Sequence, residues 1–90
     1  MEDIKLKDDL FYIGDINNPK AYIKIERDED GDLRVVSTFV NDSLRGQGVA
    51  GKLTQEVIAY AEKENLKIIP VCPYTVKYFE KHEEYQGLLK

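Results

Sequence analysis

Residues 45–50, Arg45-Gly46-Gln47-Gly48-Val49-Ala50, are the stretch that decides the predicted fold. They follow an apolar, β-branched run over residues 33–40 and precede a helical pattern that continues to about Asn65. A strand, a short loop and a glycine-bearing turn before a helix direct unpaired backbone N–H groups at an anion. The two glycines lack Cβ, so the backbone can approach a ligand closely. The stretch therefore predicts a site for a cofactor that carries a diphosphate.

The composition excludes several classes of protein. The chain of 90 residues is expected to form one domain, residues 1–90, and its 42% hydrophobic and 33% charged residues indicate a globular fold. A net charge of −4 argues against a nucleic-acid binder, whose affinity depends on basic side chains. No apolar run approaches the roughly 18–20 residues that span a membrane. The N-terminus lacks a secretory signal, and the single cysteine, Cys72, suits a reducing compartment, so a cytoplasmic location is expected.

The first half of the chain has the pattern of β-strands. Residues 4–13 contain two apolar segments that end at Gly14, residues 21–26 alternate apolar and polar side chains, and residues 33–40 form a further strand. The polar residues 28–32 form a turn between the last two strands. Their Asp-x-Asp-x-Asp pattern lacks the remaining ligands of a calcium loop, so a solvated turn is expected. The prediction is a meander of three antiparallel strands.

The second half changes to helical periodicity. Val49, Leu53, Val57 and Ala61 lie four residues apart and form one apolar stripe of a helix that stops at Asn65. Residues 67–72 then form a short buried strand, bounded by Pro70 and Pro73, and a last helix runs from Thr75 to about His82. The predicted order is β-β-β-α-β-α.

The strand–helix–strand unit predicts where a ligand binds. Its connection should be right-handed, so residues 33–40 and 67–72 run parallel. Ligands of such units lie beyond the carboxyl ends of the strands. The glycine loop and Cys72 both follow those ends, so they are expected to converge on one place.

Two other kinds of phosphate loop are excluded. Gly51-Lys52-Leu53 lacks the hydroxyl residue that a Walker loop places after its lysine. A dinucleotide fingerprint needs a third glycine and an acidic residue at the end of the next parallel strand, which here ends in Val71-Cys72.

The stretch from Asn41 to Ala50 resembles motif A of the GNAT superfamily of N-acetyltransferases. The pattern there is Arg/Gln-x-x-Gly-x-Gly/Ala, and Arg45, Gly48 and Ala50 match it. Residues 70–74, Tyr78 and residues 82–85 are similar to the short single-domain members of YjdJ type. The resemblance covers nearly the whole chain. It implies an α/β (α+β) minimal GNAT fold, in which an antiparallel meander is followed by a β-α-β unit and a short C-terminal helix.

The resemblance also implies acetyl-coenzyme A as the cofactor. Its pantetheine arm would lie between the two parallel strands, where Pro70 is expected to help keep a gap open. Main-chain contacts to this arm are expected from Phe39 and Val40, and Lys52 would add charge on the adenosine side. The residues expected to bind the pyrophosphate are Arg45, Gly46, Gln47, Gly48, Val49 and Ala50.

Cys72, Tyr74 and Tyr78 are the candidate catalytic residues. Cys72 would lie near the thioester, either as an acetyl acceptor or as a small buried residue that lines the acyl slot. Tyr74 and Tyr78 are candidate donors of a proton to the departing thiolate, although Phe79 fits the same position as Tyr78. His82 is expected to cap or pack the end of the last helix. Ser37 stands where short family members often carry a histidine.

The leading function is transfer of an acetyl group to an amine by direct attack on acetyl-coenzyme A. The alternatives are a non-catalytic acyl-coenzyme A binding module and an interaction domain in which the glycine loop is only a turn. The acceptor is expected to be a small-molecule or peptide amine, with no nucleic acid, membrane or metal involved. Phe11, Tyr12 and Tyr22 are expected to be available for pairing with a second copy, so a homodimer remains open.

Overall fold

Five strands form a single sheet in sequence order, β1-β2-β3-β4-β5, in a computed structural model that describes residues 3–90. The strands are β1 (Lys5–Lys7), β2 (Leu10–Asp15), β3 (Asn18–Arg27), β4 (Leu33–Val40) and β5 (Ile68–Pro70). The helices are α1 (Val49–Glu64) and α2 (Pro73–Lys81), with short 3-10 turns at Asp42–Leu44 and Glu83–Leu88. No helix in this part of the chain is long and apolar enough to cross a membrane.

The meander has four antiparallel strands, one more than the sequence predicts. Asp8 and Asp9 both adopt positive φ angles, 51° and 62°, and form a two-residue hairpin turn between β1 and β2. Such turns need left-handed residues, which aspartate tolerates better than most. The next turn is also tighter than expected, because β3 already begins at Asn18. The fold class is confirmed, since β4 and β5, which precede and follow α1 in the chain, pair in parallel.

The core lies between α1 and one face of the sheet. Ala21, Ile23 and Ile25 of β3 are buried, as their alternation predicts, and the whole apolar stripe of α1 packs on them. Phe11 belongs to this core and makes an edge contact with Tyr60 at 5.8 Å between ring centroids. The expectation that Phe11 is available for pairing with a second copy is therefore wrong.

The opposite face of the sheet carries aromatic side chains. Tyr12 and Tyr22 are direct cross-strand partners, and alternation places both on the face away from α1. Tyr22 also contacts Phe39 of β4, with ring centroids 5.4 Å apart. Cross-strand aromatic pairs of this kind stabilise neighbouring strands. Tyr12 is only 7% exposed, so the expectation that it is available for pairing is also wrong, and self-association through Tyr22 on this face stays a prediction.

β5 is shorter than the predicted strand, and α2 begins earlier than predicted. The strand ends at Pro70, Cys72 is the N-cap of α2, and Pro73 occupies the first turn of the helix. Proline suits that position, since its ring presets the helical φ and its missing N–H would have no intrahelical partner there. The pattern of residues 67–72 therefore contains both a strand and the residue at which the next helix starts.

The acidic turn between β3 and β4 is confirmed, but its carboxylates are not simply solvated. The ammonium of Lys90 bonds Asp28, Asp30 and Asp32 at 2.5, 2.9 and 3.0 Å. This contact lowers the pKa of Asp28, while the backbone N–H of Lys67, followed by Lys90, lowers the pKa of Asp32. The C-terminal segment is thereby held beside β5, where Lys90 N–H donates to Ile68 C=O at 3.0 Å.

Asn65 ends α1 as predicted and provides a test of the fold. It is exposed and adopts the left-handed conformation, with φ 59° and ψ 46°, while its N–H donates to the last turn of the helix. Glycine accepts this conformation without strain and alanine does not. We expect Asn65→Ala to lower the free energy of urea unfolding by about 1 kcal/mol. Asn65→Gly should leave it within about 0.5 kcal/mol, and equal losses in the two variants would contradict this role.

Candidate functional site

A gap opens between β4 and β5 where their pairing stops. The parallel register runs from Leu33↔Ile68 to Val35↔Pro70. The C=O of Val35 then accepts the N–H groups of both Val71 and Cys72, at 3.1 and 2.9 Å. Beyond this point β5 has ended and the chain turns into α2, whereas β4 continues to Val40. The last residues of β4 therefore have no strand on that side.

A β-bulge in β4 determines which backbone groups face the gap. Lys24 and Ile25 of β3 pair with Ser37 and Val35, so Val36 is the extra residue. Beyond the bulge, Asn41 N–H donates to Lys20 C=O of β3 at 2.7 Å. Alternation then turns the main-chain groups of Thr38 and Val40 away from β3 and into the gap.

This register bears on the two residues predicted for main-chain contacts. Val40 does present its main chain to the gap. Phe39 instead pairs with Tyr22 of β3, and its side chain lies on the aromatic face of the sheet. The main chain of Thr38 therefore faces the gap, where the sequence predicts that of Phe39. The bulge inserts one apolar residue between two others, so nothing in the sequence pattern signals it.

The gap does not depend on the missing N–H of Pro70. Ile69 and Val71 turn their main chains towards β4, as the Val71 N–H to Val35 C=O bond requires. Ile68 and Pro70 therefore face the outer edge, where Ile68 pairs with Leu89. The divergence follows from the turn into α2 at Cys72 and Pro73 instead.

The start of α1 has free backbone donors. Its N-cap is Gly48, which has no side chain to accept a hydrogen bond, and its first turn contains no acidic residue. The first intrahelical bond joins Lys52 N–H to Gly48 C=O at 3.1 Å. The N–H groups of Val49, Ala50 and Gly51 precede it and are therefore available to an anion, which the helix dipole also favours.

The glycines of the loop leave open space beside these donors. Gly46 and Gly48 have φ angles of 81° and 70°, and a Cβ added to either would meet no atom within 4 Å. Both border a cleft of about 280 Å³ that also adjoins Tyr74 of α2. Protein packing therefore leaves space for a side chain at both positions. The open side of the loop has the space and the N–H donors that a pyrophosphate needs.

The charged residues of the loop differ in their contacts. Arg45 is exposed and forms an ion pair with Asp42 at 3.1 Å, so it would have to exchange this partner to bind a phosphate. Lys52 is exposed one turn into α1. The backbone donors belong to the first turn of α1 and need not exchange a partner, so they are the main part of the anion site.

Cys72 lies at the end of the gap and is the N-cap of α2. Its thiol is buried and donates to Thr38 Oγ1 at 3.6 Å. Burial disfavours the thiolate, but the Thr38 hydroxyl, the N–H groups of Thr75 and Tyr74, and the Thr75 hydroxyl together lower the pKa of Cys72 below its ordinary value. With the thiol neutral, Thr75 Oγ1 is buried and has no hydrogen-bond partner among the described residues.

The two candidate tyrosines point towards α1. Tyr78 accepts a hydrogen bond from Gln55, and its ring stacks on His82 at 4.0 Å. The Tyr74 hydroxyl lies beside Gly51, and burial raises its pKa despite a smaller opposing effect of Thr54. Neither hydroxyl is bonded to Cys72 in the described part of the chain.

The remaining candidates have structural positions. Phe79 is buried in the core, at 2% exposure, so it does not compete for the position of Tyr78. His82 is the C-cap of α2, where its N–H donates to Tyr78 C=O at 3.1 Å, as the sequence predicts. Ser37 pairs with Lys24 and lies one residue from Thr38, on the opposite face of the sheet.

A second cleft, of about 240 Å³, lies between β1 and α1. Ile4, Leu6, Phe11 and Tyr60 make it largely apolar. It has no helix N-terminus, and it lies away from Cys72. The chemistry therefore favours the cleft beside the glycine loop.

The sequence model of the GCN5-related N-acetyl-transferase family matches residues 10–88. The chain belongs to this family. A GCN5-like protein from Staphylococcus aureus, solved by NMR and named as a candidate N-acetyltransferase, is 37% identical in sequence with a TM-score of 0.82. The alignment covers 98% of this chain and 87% of that protein. No curated protein matches the sequence significantly.

Membership confirms the GNAT fold that the resemblance implied, and it supports an acetyltransferase that uses acetyl-coenzyme A. Assignment to the YjdJ-type subgroup stays a prediction. The glycine loop of this GNAT domain, residues 45–50, and the β4–β5 gap both fall within the matched region.

The environment of Cys72 predicts its titration. Because the N–H and hydroxyl donors around the sulfur favour the thiolate, we expect the pKa of Cys72 to lie below that of the same thiol in the urea-unfolded chain. Thr38→Val removes one donor and should raise the midpoint. Ultraviolet absorbance of the thiolate measures it, with Cys72→Ser as the blank, because the chain has one cysteine. A midpoint at or above that of the urea-unfolded chain would contradict this assignment.

Proposed function

We propose that this GNAT domain binds acetyl-coenzyme A across the glycine loop and the β4–β5 gap and transfers the acetyl group to an amine. The observation that carries the proposal is the alignment of two features. Free N–H groups at the start of α1 border open space, and the unpaired end of β4 leads from there to Cys72. The first feature suits a pyrophosphate and the second suits an extended amide-bearing arm.

Different residues would bind the pyrophosphate and the pantetheine arm. The N–H groups of Val49, Ala50 and Gly51, with the loop residues Arg45, Gly46, Gln47 and Gly48, would hold the pyrophosphate. Thr38 and Val40 would pair their main chains with the amides of the pantetheine arm, as β5 does with the start of β4. Phe39 would then make no main-chain contact with this arm, because it pairs with Tyr22 and its side chain lies on the opposite face of the sheet. Lys52 would add positive charge near the phosphates.

Acetyl-coenzyme A supplies an activated thioester when bound. The amine nitrogen would attack the carbonyl carbon and the carbon–sulfur bond would break. The nitrogen would give up one proton, and the departing thiolate would take one. Cys72 is the group that we assign to this end of the site, because its thiol lies at the end of the gap and its lowered pKa favours release of the proton. Tyr74 and Tyr78 are less suited, since their hydroxyls face α1.

A non-catalytic acyl-coenzyme A binding module is the second candidate. One observation favours it: among the described residues, no carboxylate or imidazole bonds to Cys72 or Thr38. The residues that the structure describes therefore offer no base for a protonated amine at this position. Binding without turnover, for a panel of polyamines, amino acids and lysine peptides, would favour this candidate.

Binding is tested with a matched pair of glycine variants. Gly48 and Gly31 have similar φ angles, 70° and 83°, and a Cβ would meet no protein atom at either position. The backbone strain of alanine should therefore be similar in both. We expect Gly48→Ala to weaken coenzyme A binding about tenfold in calorimetry, because its Cβ enters the space of the pyrophosphate. Gly31→Ala, in the remote acidic turn, should bind as the parent does.

Equal affinities for the two variants would show that the loop is not the phosphate site. Absence of binding by the parent at millimolar coenzyme A would contradict the cofactor assignment itself.

Catalysis is tested at Cys72 and Tyr78. We expect Cys72→Ala to lower kcat about 100-fold with a small change in coenzyme A affinity, as is typical when a proton donor is lost. Tyr78→Phe should stay within about threefold of the parent, because its hydroxyl bonds Gln55. Unchanged turnover in Cys72→Ala excludes both proton donation by Cys72 and an acetyl-cysteine relay, and a large loss in Tyr78→Phe would return the donor role to the tyrosine.

A further inference from the structure

One face of α2 combines aromatic rings with positive charge. Its residues recur at helical spacing and border a surface groove of about 300 Å³; they are Tyr74, Lys77, Tyr78, Lys81 and His82, and we call them the α2 face. Most solvent-facing helix surfaces carry mixed charges, whereas this one has two cations beside three rings. Its composition suits a ligand with both a flat base and an anionic group.

The rings of the α2 face form an ordered ladder. The centroids of Tyr74 and Tyr78 are 6.2 Å apart, and Tyr78 and His82 stack at 4.0 Å with 14° between their planes. Gln55 of α1 fixes the hydroxyl of Tyr78, and the His82 Nδ1 lies 2.7 Å from Tyr78 C=O. The surface is therefore largely preorganised, which reduces the entropic cost of stacking a base on it.

The lysines of the α2 face have no described acidic partner. Lys77 and Lys81 are exposed and lie one turn apart. Glu80 lies three residues after Lys77, a spacing at which helix side chains are neighbours, but no ion pair joins the two. The ion pairs of the described residues involve other cations, namely Arg27, Arg34, Arg45 and Lys90. A phosphate on this face would meet two available ammonium groups.

The α2 face is continuous with the cleft of the glycine loop. Tyr74 borders both, and its hydroxyl lies 3.9 Å from the position that a Cβ on Gly51 would occupy. A ligand that has its pyrophosphate on the loop can therefore extend over Tyr74 without crossing a barrier of main chain.

We infer that the α2 face binds the adenosine end of coenzyme A and that Lys77 and Lys81 select its 3′-phosphate. This inference rests on the proposed function and adds a specificity to it. The adenine stacks on Tyr74, which borders both the glycine-loop cleft and the groove, and the 3′-phosphate pairs with the two ammonium groups. The protein thereby distinguishes coenzyme A from its 3′-dephospho form.

The test compares two ligands and three proteins by calorimetry at constant ionic strength. The parent should bind coenzyme A about fivefold more tightly than 3′-dephospho-coenzyme A, which is the scale of two exposed ion pairs. Lys77→Ala/Lys81→Ala should bind both ligands with the affinity that the parent has for the dephospho form. Lys5→Ala/Lys7→Ala removes the same two charges from β1 and should keep the fivefold preference.

Each outcome decides one claim. Equal parent affinities for the two ligands, or a preference that survives in Lys77→Ala/Lys81→Ala, would overturn the role of the α2 face while leaving the loop site intact. Loss of the preference in Lys5→Ala/Lys7→Ala would assign it to net charge instead. Failure of the parent to bind either ligand would contradict the proposed function, and this result is distinct from the others.

Discussion

The separation of β4 from β5 beyond the Val35–Pro70 pair is the constraint on which the rest of the site depends. Two parallel strands would ordinarily satisfy each other's main-chain groups along their whole length. Here β5 has only three residues, and the C=O of Val35 closes the ladder by accepting two N–H groups. Beyond that bond β4 still pairs with β3, but the main-chain groups of Thr38 and Val40 that face the gap have no strand to satisfy them. Such groups are costly unless water or a ligand bonds them.

The turn that ends β5 also positions Cys72 at the reacting end of the proposed cofactor site. Pro73 starts α2 at once, so Cys72 becomes an N-cap residue and its sulfur comes under the influence of the first N–H groups of the helix. The β4 bulge at Val36 brings Thr38 to the sulfur and turns its main chain to the gap. Helix starts lie at both ends of the path, with α1 beside the phosphates and α2 beside the thiol. An acidic protein can thus bind an anionic cofactor through local dipoles.

The sequence predicts those parts of the fold that depend on periodicity and on turn residues. The stripe of α1, its stop at Asn65, the alternation of β3 and the glycine loop all follow from side-chain pattern, and the resemblance adds the cofactor. The features that the sequence does not predict depend on main-chain geometry. A bulge among apolar residues leaves the pattern intact, so Phe39 was expected where Thr38 lies. The pattern of residues 67–72 does not show where β5 ends and α2 begins. The burial of Phe11 depends on its pairing with Ile23 of β3, which turns it towards Tyr60 of α1.

The central claim is that the cofactor occupies the path from the start of α1 to Cys72. Titration of labelled protein with acetyl-coenzyme A, followed by backbone amide shifts in NMR, tests it most directly. We predict the largest shifts at Thr38 and Val40 of β4, at the amides of residues 46–51, and at Cys72, with little change at Ile4 or Leu6. Shifts concentrated in the cleft between β1 and α1, or none on β4, would contradict the account.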